Sequence, residues 1–220
     1  MIRFAGGYTK RANSVNPLYP STINVQDKVH FCEELYRAKK LPLVFKMTST
    51  SQPDGLDERL SANGFRKDSP TSVQAVELAT NAWQLSPDVM IEETLSAMWL
   101  QSFCHMSAVL DRDRETLRHI LWNIVPRHCF VSIQADNQLI AGGLGVLQAD
   151  SIGLFDIVTA PAFRGCGYGR KIINAILAWG KDHGATRAYL QVMLNNAPAL
   201  ALYAKLGFVE QYQYWYRIKA

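Results

Sequence analysis

The stretch that decides the fold runs from Val158 to Arg170 and reads VTAPAFRGCGYGR, from the end of an apolar strand into an amphipathic helix. Its glycines, Gly165, Gly167 and Gly169, let the backbone bend sharply and approach a ligand closely. The unpaired N–H groups of the first helical turn and the positive end of the helix dipole favour an anion there. The stretch therefore predicts a site for a phosphate or pyrophosphate group.

Two common nucleotide-binding motifs do not fit this stretch. No Gly-Lys-Ser/Thr follows at the spacing of a P-loop, and the preceding strands resemble an antiparallel meander rather than the βαβ unit of a dinucleotide-binding fold. A glycine-rich turn taken alone is more often only a tight connection between a strand and a helix. The surrounding sequence decides between these two interpretations.

The elements around the glycines alternate between strands and helices. Apolar runs separated by turn compositions predict a three-stranded antiparallel meander, at Cys129–Gln134, Leu139–Leu147 and Ile152–Thr159. Amphipathic spacing and closing glycines then predict helix, strand, helix and strand, at Tyr168–Asp182, Arg187–Leu194, Ala197–Leu206 and Phe208–Ile218.

The N-terminal half gives a similar mixture. A helix is predicted to begin at Ser21 or Thr22 and to end at the basic pair Lys39-Lys40. The later elements are a strand at Leu43–Met47, a short helix at Leu56–Asn63, an extended segment from Phe65, and two helices, at Glu93–Met106 and Asp113–Ile124, that are expected to cover a sheet.

A domain boundary is predicted in Asn81–Asp88, which contains a proline and has little periodicity. It divides the chain into an N-terminal lobe, residues 1–80, and a C-terminal domain, residues 81–220. The pair Gly64-Phe65 matches the pair Gly207-Phe208, and each ends a strand, loop and helix unit. The N-terminal lobe therefore looks like a degenerate second copy.

Two motifs at the right separation make the C-terminal part resemble the GNAT acyltransferases. The first is Arg164-x-x-Gly167-x-Gly169 after a strand that ends at Thr159, and the second is NAPALALYAKLGF, from Asn196 to Phe208. The resemblance covers about Cys129–Ile218. It implies the α/β, mixed-sheet GNAT acyl-CoA N-acyltransferase fold, and the internal match predicts two such lobes.

The resemblance also implies a co-substrate, acetyl-coenzyme A. In this family the strand before the glycine turn splays from its neighbour and its backbone pairs with the pantetheine arm, which here implies Ile157, Val158 and Thr159. The turn holds the pyrophosphate, which implies Arg164, Gly165, Cys166, Gly167, Tyr168, Gly169 and Arg170. Asn196 matches the family asparagine that hydrogen-bonds the cofactor arm. Tyr203 matches the tyrosine that acts as general acid near the thioester sulfur.

The general base is where this sequence departs from the family pattern. Some relatives carry a catalytic glutamate five residues before the family asparagine, and Gln191 occupies that position here. Because an amide does not usefully accept a proton, we expect Asp156 to act as the base, directly or through a water, with Glu210 as the second choice. A carboxylate near a strand end is more often solvated or a cap, so that interpretation stays open for Asp156.

The N-terminal lobe lacks both the glycine turn and the tyrosine, since Leu60 falls where Tyr203 would lie. It is therefore not expected to bind a second cofactor. Its expected role is to close the sheet, to line the acceptor cleft or to pair two chains in a homodimer. The segment Tyr8–Asn16 resembles a stretch of tandem GNAT proteins, and the resemblance gives it no binding role.

Composition limits the classes of function. The 220 residues are 48% hydrophobic and 19% charged, which is typical of a globular protein. A formal charge of +4 falls short of what a sequence-independent nucleic-acid binder needs, so nucleic acid is not an expected partner.

The N-terminus has no secretory signal core, and no apolar run is long enough to span a bilayer, so no membrane partner is expected. The 4 cysteines are scattered without a CxxC pair, which favours reduced thiols in the cytoplasm.

Three further residues are tempting as functional groups. His105 and His119 lie among apolar residues on predicted helices, where a hydrogen-bonded structural histidine is the commoner case. No second ligand stands at useful spacing, so no metal is expected. Cys166 begins a helix that would lower the pKa of its thiol, but a cofactor phosphate competes for that place, so we interpret it as a small residue rather than a nucleophile.

The sequence therefore predicts an N-acetyltransferase that moves an acetyl group from acetyl-coenzyme A to a primary amine of a small molecule or peptide, by direct attack in a ternary complex. An alternative from another class is a non-catalytic acyl-coenzyme A binding or sensing module, which Gln191 favours. A third, an acyltransferase acting on tRNA or a ribosomal protein, depends only on the modest positive charge.

Overall fold

The protein has a mixed α/β fold, which the computed structural model describes for residues 1–80, 82–136 and 138–219. Within these ranges the helices are α1 Val25–Ala38, α2 Leu56–Ala62, α3 Ala97–Met106, α4 Asp111–Trp122, α5 Tyr168–Asp182 and α6 Ala197–Lys205. The strands are β1 Leu43–Thr48, β2 Arg66–Glu77, β3 Val89–Glu92, β4 His128–Ala135, β5 Gln138–Gln148, β6 Ser151–Thr159, β7 Arg187–Met193 and β8 Val209–Lys219. The predicted α/β class is confirmed.

The chain forms two compact units. The first contains Met1–Val73, Met193–Asn196 and Tyr212–Ala220, and the second contains Gln74–Val192 and Ala197–Gln211. The predicted division into residues 1–80 and 81–220 stays a prediction, and Asn81, where the predicted boundary begins, lies outside the described residues.

In the first unit the strand order is β1-β8-β2, and β1 runs antiparallel to β8. Side chains alternate across β1 because successive residues of a strand face opposite sides. Phe45 and Met47 pack in a core with α1 and α2, through residues such as Tyr36 and Leu60. The other face of this sheet carries a smaller apolar cluster of Val44, Val73, Tyr214 and Tyr216.

In the second unit the strand order is β7-β6-β5-β4-β3. The strands from β3 to β6 pair antiparallel, as the predicted meander requires, and β6 pairs with β7 in parallel. Helix α5 buries Ile172, Ile173 and Ile176 in the main core of the unit. Helix α3 fixes its position on β4 through Trp99, whose Nε1 donates to the backbone oxygen of Val131 at 3.1 Å.

Several predicted boundaries are wrong by a few residues, for identifiable reasons. Helix α1 starts at Val25 rather than at Ser21 or Thr22, because the Asn24 side chain accepts from the Gln26 N–H and caps it. Helix α3 starts at Ala97 rather than at Glu93, because Ser96 caps it. The preceding residues form strand β3, which was not predicted.

The predicted internal repeat agrees with the order of elements. The runs β1-α2-β2 and β7-α6-β8 are both strand, helix and strand. Gly64 and Gly207, which end the two helical turns, have left-handed φ values of 83° and 86°. The interpretation of the first run as a degenerate second lobe stays a prediction.

Candidate functional site

A β-bulge distorts β6 just before the glycine-rich turn. Leu144 pairs with Phe155 and Gly142 pairs with Val158, so one residue of β5 opposes two residues of β6. Asp156 is one of those two, and its φ is 53°. This left-handed conformation is uncommon for residues other than glycine, and aspartate is among the side chains that tolerate it best. The bulge therefore gives Asp156 an orientation that regular strand alternation would not.

The single β5 residue opposite the bulge, Gly143, has no room for a side chain. A Cβ atom there would lie 2.6 Å from Ile157 Cδ1 and 2.7 Å from Ile172 Cγ2. A Cβ atom on Gly142 would lie 3.4 Å from Trp99 Nε1, an ordinary contact. Because consecutive residues face opposite sides of a sheet, this glycine pair lets α5 and α3 approach the sheet on its two faces.

Strands β6 and β7 diverge toward the turn. Within the described residues their parallel ladder has three pairs, from Ser151 with Arg187 to Gly153 with Tyr189, and it goes no further. The later part of β6 stays paired with β5 on its other side, through Val158 and Thr159. The edge of β6 at residues 157–159 therefore faces the gap between the diverging strands, as the resemblance implied.

The glycine-rich turn leads directly into α5. After a single 3₁₀ turn at Pro161–Phe163, Gly165 and Gly167 have φ values of 78° and 84°, in the region that L side chains rarely adopt. A Cβ atom on either glycine would meet no heavy atom of the described residues within 4 Å. Both glycines are exposed, so the turn is open to a ligand.

The start of α5 has the electrostatic character of an anion site. Gly167 is its N-cap and provides no side-chain cap, so the first N–H groups of the helix are not covered by one. The first turn contains no acidic residue. Arg164 and Arg170 are exposed beside it, and Arg164 Nε donates to the Thr159 backbone oxygen at 3.2 Å. The residues present therefore fit a pyrophosphate group.

Two contacts that the sequence did not indicate hold this helix start in place. Lys171 Nζ lies 2.7 Å from Asp88 Oδ2, which joins α5 to the segment before β3. The Tyr168 ring packs edge-on against Phe163, with 6.2 Å between the ring centroids. Tyr168 thus has a packing role in the turn, whatever its backbone binds. Lys171 and Asp88 are far apart along the chain, so their ion pair leaves no local sequence signal.

Tyr203 lies in the same unit, on α6. It is 8% exposed, and its ring centroid is 5.8 Å from that of Phe208. Burial raises the pKa of its hydroxyl above the ordinary value of 10, so the group stays protonated at neutral pH. No side chain or backbone group of the described residues hydrogen-bonds this hydroxyl. It therefore has a proton to donate and no protein acceptor for it, as a general acid requires.

The candidate bases differ in their surroundings. Asp156 is half-buried on the bulged strand, whereas Glu210 is exposed near the start of β8. Gln191 is half-buried on β7, the strand that diverges from β6. Asp156, Gln191 and Glu210 all belong to the unit that contains the turn and Tyr203. Asn196 belongs to the first unit, where its N–H donates to the Met193 backbone oxygen at 3.0 Å, and its role stays a prediction.

The histidines and cysteines take the following places. His105 and His119 are exposed on α3 and α4, so the prediction that they lie among apolar residues is wrong; the apolar residues beside them in sequence face the other side of each helix. His119 Nε2 lies 3.0 Å from Glu115 Oε1 on the helix surface. Cys166 is exposed and its Sγ is 3.6 Å from the Arg164 backbone oxygen, while Cys129 is buried, which raises the pKa of its thiol to about 12.

Within residues 1–80, 82–136 and 138–219, no group of three histidine, cysteine, aspartate or glutamate side chains is arranged to hold a metal ion. None of the helices there is both long enough and apolar enough to cross a bilayer.

Comparison with known proteins points to one family. The profile of the acetyltransferase (GNAT) family matches residues 93–208. The protein named "Uncharacterized N-acetyltransferase YobR" from Bacillus subtilis is 30% identical over 225 aligned residues, which cover 100% of this chain and 89% of that protein. The [ribosomal protein bS18]-alanine N-acetyltransferase of Salmonella typhimurium is 31% identical over 84 residues, which cover 38% of this chain and 57% of that enzyme.

A solved structure agrees at the level of the fold. A GCN5-related N-acetyltransferase from Kribbella flavida superposes with a TM-score of 0.68 at 16% identity, and the match covers 92% of this chain and 78% of that one. At this identity the likeness concerns the fold alone. The predicted GNAT fold is confirmed.

Proposed function

The chain belongs to the GNAT family of acetyltransferases, and from that premise we propose that it transfers an acetyl group from acetyl-coenzyme A to a primary amine of a small molecule or peptide. The observation that carries the proposal is the open glycine turn at the uncapped start of α5, directly after a strand that diverges from its neighbour. This arrangement provides two different binding surfaces in succession, one for an anion and one for an extended amide-containing chain.

The anion surface is the turn from Arg164 to Arg170. Its N–H groups and the positive end of the α5 dipole hold the pyrophosphate of the coenzyme, and the two arginines add positive charge. Gly165 and Gly167 leave the space that a phosphate needs next to the backbone. The extended surface is β6 at Ile157–Thr159, whose outer edge pairs with the amide groups of the pantetheine arm.

The chemistry needs three protein groups. The attacking amine must be neutral, and for a lysine-like pKa of about 10.4 its deprotonation at pH 7 costs about 4–5 kcal/mol. Asp156 takes this proton, directly or through a water. A backbone N–H on the outer edge of β6, next to Val158, donates to the thioester oxygen as negative charge develops on it. As the new C–N bond forms and the C–S bond breaks, Tyr203 protonates the departing sulfur, and the amide and the free thiol are the products.

We propose that the acceptor is a primary amine, either of a peptide or of a small molecule. The Salmonella relative acts, by its name, on the alanine of a ribosomal protein, which supports a peptide α-amine as one candidate. That match covers only 38% of this chain, so amines of small molecules are kept as acceptor candidates beside peptides. We place the reaction in the cytoplasm, because all four cysteines are free thiols and the donor is a cytoplasmic metabolite.

A non-catalytic acyl-coenzyme A module is the second candidate, and Gln191 favours it. Its amide occupies the position of the glutamate that serves as base in some relatives, and it lies half-buried on β7. Such a protein would bind the coenzyme as tightly as an enzyme and release no thiol.

One experiment separates these candidates. Release of free thiol from acetyl-coenzyme A is followed with amino acids, polyamines, aminoglycosides and peptides, including one with N-terminal alanine, beside calorimetric binding of coenzyme A. The variant Gly167→Trp fills the turn, and Gly184→Trp is its matched control. Gly184 follows the other end of α5, also has a positive φ, and likewise has open space around it.

The enzyme proposal requires thiol release with at least one acceptor class, and loss of both binding and release in Gly167→Trp but not in Gly184→Trp. Binding without release across the panel favours the binding module. If the wild-type protein does not bind coenzyme A, or if both tryptophan variants lose binding equally, the assignment of the turn is wrong.

A further inference from the structure

The first unit contains an apolar cavity of about 600 Å³, and all of its lining residues belong to Met1–Val73. Ligand pockets in proteins commonly have volumes of about 300–1,000 Å³ and mostly apolar walls. The inner wall of this cavity contains the buried residues Val15, Cys32, Phe45 and Leu56. The proposed acetyl transfer uses none of them. The cavity is therefore large enough for a small molecule and lies outside the site already described.

The rim of the cavity exposes large apolar side chains. Leu18 is 43% exposed, Phe31 is 56% exposed and Ile23 is 60% exposed, and all three line the cavity. Apolar residues exposed singly are ordinary on a protein surface, whereas several around one cavity are typical of a ligand or partner site. A ligand that covers them removes apolar area from water, which favours its binding.

The position of the cavity in the first unit corresponds to that of the glycine turn in the second. Val15 forms a parallel bridge with Phe45 of β1, as β6 pairs in parallel with β7. In both units a turn, a helix, the paired strand and a second helix follow: α1, β1 and α2 in the first unit, and α5, β7 and α6 in the second. Pro17 from the turn, Val29 from α1 and Leu56 from the start of α2 all line the cavity.

The turn into α1 nevertheless lacks the anion site that the turn into α5 has. Pro17 and Pro20 have no N–H to donate. The Asn24 side chain accepts from the Gln26 N–H at 2.8 Å and caps the helix, and Asp27 places a carboxylate in the first turn. Helix α5 has neither a side-chain cap nor an acidic residue in its first turn. The first unit thus has an apolar cavity at this position without a place for a phosphate group.

The charges around the cavity balance. Among the described residues that line it, the charged side chains are those of Asp27 and Lys28, which are adjacent and opposite in sign. Such a pair gives the cavity no net charge that attracts an anion or a cation. Burial raises the pKa of the Cys32 thiol, so this group stays neutral and behaves as a small apolar side chain. The electrostatic complement of the cavity is an uncharged ligand.

We propose that this cavity binds an uncharged, apolar small molecule, which it recognises by size and by the absence of charge. The buried wall takes up the body of the ligand, and the exposed rim residues cover its outer side. Because every lining residue belongs to the first unit, the site stands or fails independently of the proposed acetyl transfer.

The test measures binding to the full-length protein by fluorescence. The probe is N-phenyl-1-naphthylamine, which is uncharged, and its comparison is 8-anilinonaphthalene-1-sulfonate, which has the same rings and an added sulfonate. We expect the uncharged probe to bind saturably, with one molecule per chain, and about tenfold more tightly than the sulfonate. Decanol is expected to displace the probe, and decanoate, its charged counterpart, to do so about tenfold less well.

Three substitutions locate the probe. Val29→Trp places a large side chain in the cavity and is expected to weaken binding of the uncharged probe about tenfold. Glu34→Trp adds the same side chain at an exposed position of α1 outside the lining and leaves binding unchanged. Phe31→Ser shortens an exposed rim residue, is expected to weaken binding about threefold, and keeps the test valid if Val29→Trp does not fold. Far-ultraviolet circular dichroism checks the fold of each variant.

A fourth substitution tests the charge argument. Asp27→Asn leaves Lys28 as the charged side chain of the described lining, so it is expected to tighten binding of the sulfonate about threefold and to leave the uncharged probe unaffected. If the wild-type protein binds the sulfonate as tightly as the uncharged probe, the proposed ligand class is wrong.

A second copy of this chain is the competing occupant of the exposed rim. Sedimentation velocity of the wild type and of Phe31→Ser distinguishes it from a small molecule. A wild-type dimer that Phe31→Ser separates into monomers would make this face an interface between copies and overturn the proposal. The proposal is also wrong if the uncharged probe does not bind saturably, or if Val29→Trp and Glu34→Trp bind it equally well.

Discussion

Arg217 and Asp57 form a two-point ion pair inside the first unit. Arg217 donates from Nε to Asp57 Oδ1 at 2.9 Å and from Nη2 to Asp57 Oδ2 at 2.7 Å. Its Nη1 donates to the backbone oxygen of Phe65 and to Ser61 Oγ, and the Trp215 Nε1 donates to Asp57 Oδ1 at 2.6 Å. Arg217 is buried, and its three guanidinium nitrogens and both Asp57 carboxylate oxygens have hydrogen-bond partners. This network holds β8 against α2.

Replacement of Arg217 by methionine is expected to destabilise the protein by about 3 kcal/mol, because it leaves the Asp57 carboxylate partly buried without its cation. Urea unfolding followed by circular dichroism measures the change. Arg66→Met is the control: Arg66 pairs with Asp68 but is exposed, so its loss is expected to cost less than about 1 kcal/mol. Equal losses in the two variants would show that the network around Asp57 adds nothing beyond a surface ion pair.

The stability of the protein in acid is expected to depend on Asp68. The hydrogen bond from Lys10 lowers the pKa of Asp68 from its ordinary 3.8 to about 2. A carboxyl whose pKa falls on folding stabilises the folded chain above its unfolded pKa, and this stabilisation is lost as the pH falls through the folded value. The Tm difference between the wild type and Asp68→Asn is thus largest near neutral pH and vanishes between about pH 4 and pH 2.

The control for this pH dependence is Asp182→Asn, which removes an exposed carboxylate at the end of α5. Its Tm difference from the wild type is expected to stay small at every pH. A difference for Asp68→Asn that does not change between neutral and acidic pH would contradict the pKa assignment.

Elements were predicted best where several local signals coincide. Helix α5 was predicted at its observed bounds, because an apolar 3.6-residue period is flanked by Gly167 and Gly184, both in the left-handed conformation. The start of α1 was predicted wrongly. Ser21, Thr22 and Asn24 are all good N-cap residues, and the local sequence does not choose among them. Strand β3 has only 4 residues, too few to show a periodic pattern.

The candidate site also has one part that the local sequence predicts and one part that it does not. The glycine turn was predictable because its conformation is local to residues 165–167. The bulge at Asp156 was not, because it arises from the register between β5 and β6, and register depends on packing against both faces of the sheet. The Gly142-Gly143 pair was its one sequence signal, since adjacent glycines in a strand indicate close approach by other elements.

Tyr203→Phe is expected to lower kcat roughly a hundredfold while the affinity for coenzyme A stays unchanged. The variant keeps the ring that packs against Phe208 and removes only the hydroxyl that protonates the departing sulfur. Steady-state kinetics with the acceptor found in the thiol assay measure the effect. Tyr19→Phe, at a tyrosine that is 69% exposed, is the control with the same chemical change. Unchanged kcat in Tyr203→Phe would remove Tyr203 from the mechanism.

Asp156→Asn is expected to lower kcat/KM roughly a hundredfold near neutral pH, and less at higher pH, where more of the amine is already neutral. Asparagine tolerates the left-handed backbone that Asp156 adopts, so the bulge is expected to persist. Asp136→Asn is the matched control, because exposed Asp136 has a similar φ of 50° in the turn between β4 and β5. If the loss in Asp156→Asn is the same at every pH, Asp156 has a structural role and is not the base.

Gly143→Ala is expected to destabilise the protein by about 1–3 kcal/mol, because its Cβ would displace Ile157 or Ile172 from a packed interior. Gly142→Ala provides the neighbouring control, with its Cβ at an ordinary contact distance from Trp99. The displaced Ile157 also begins the strand edge assigned to the pantetheine arm, so coenzyme A affinity is expected to fall in Gly143→Ala and not in Gly142→Ala. Urea unfolding and calorimetry measure the two effects, and equal behaviour of the two variants would show that the bulge accepts a side chain at Gly143.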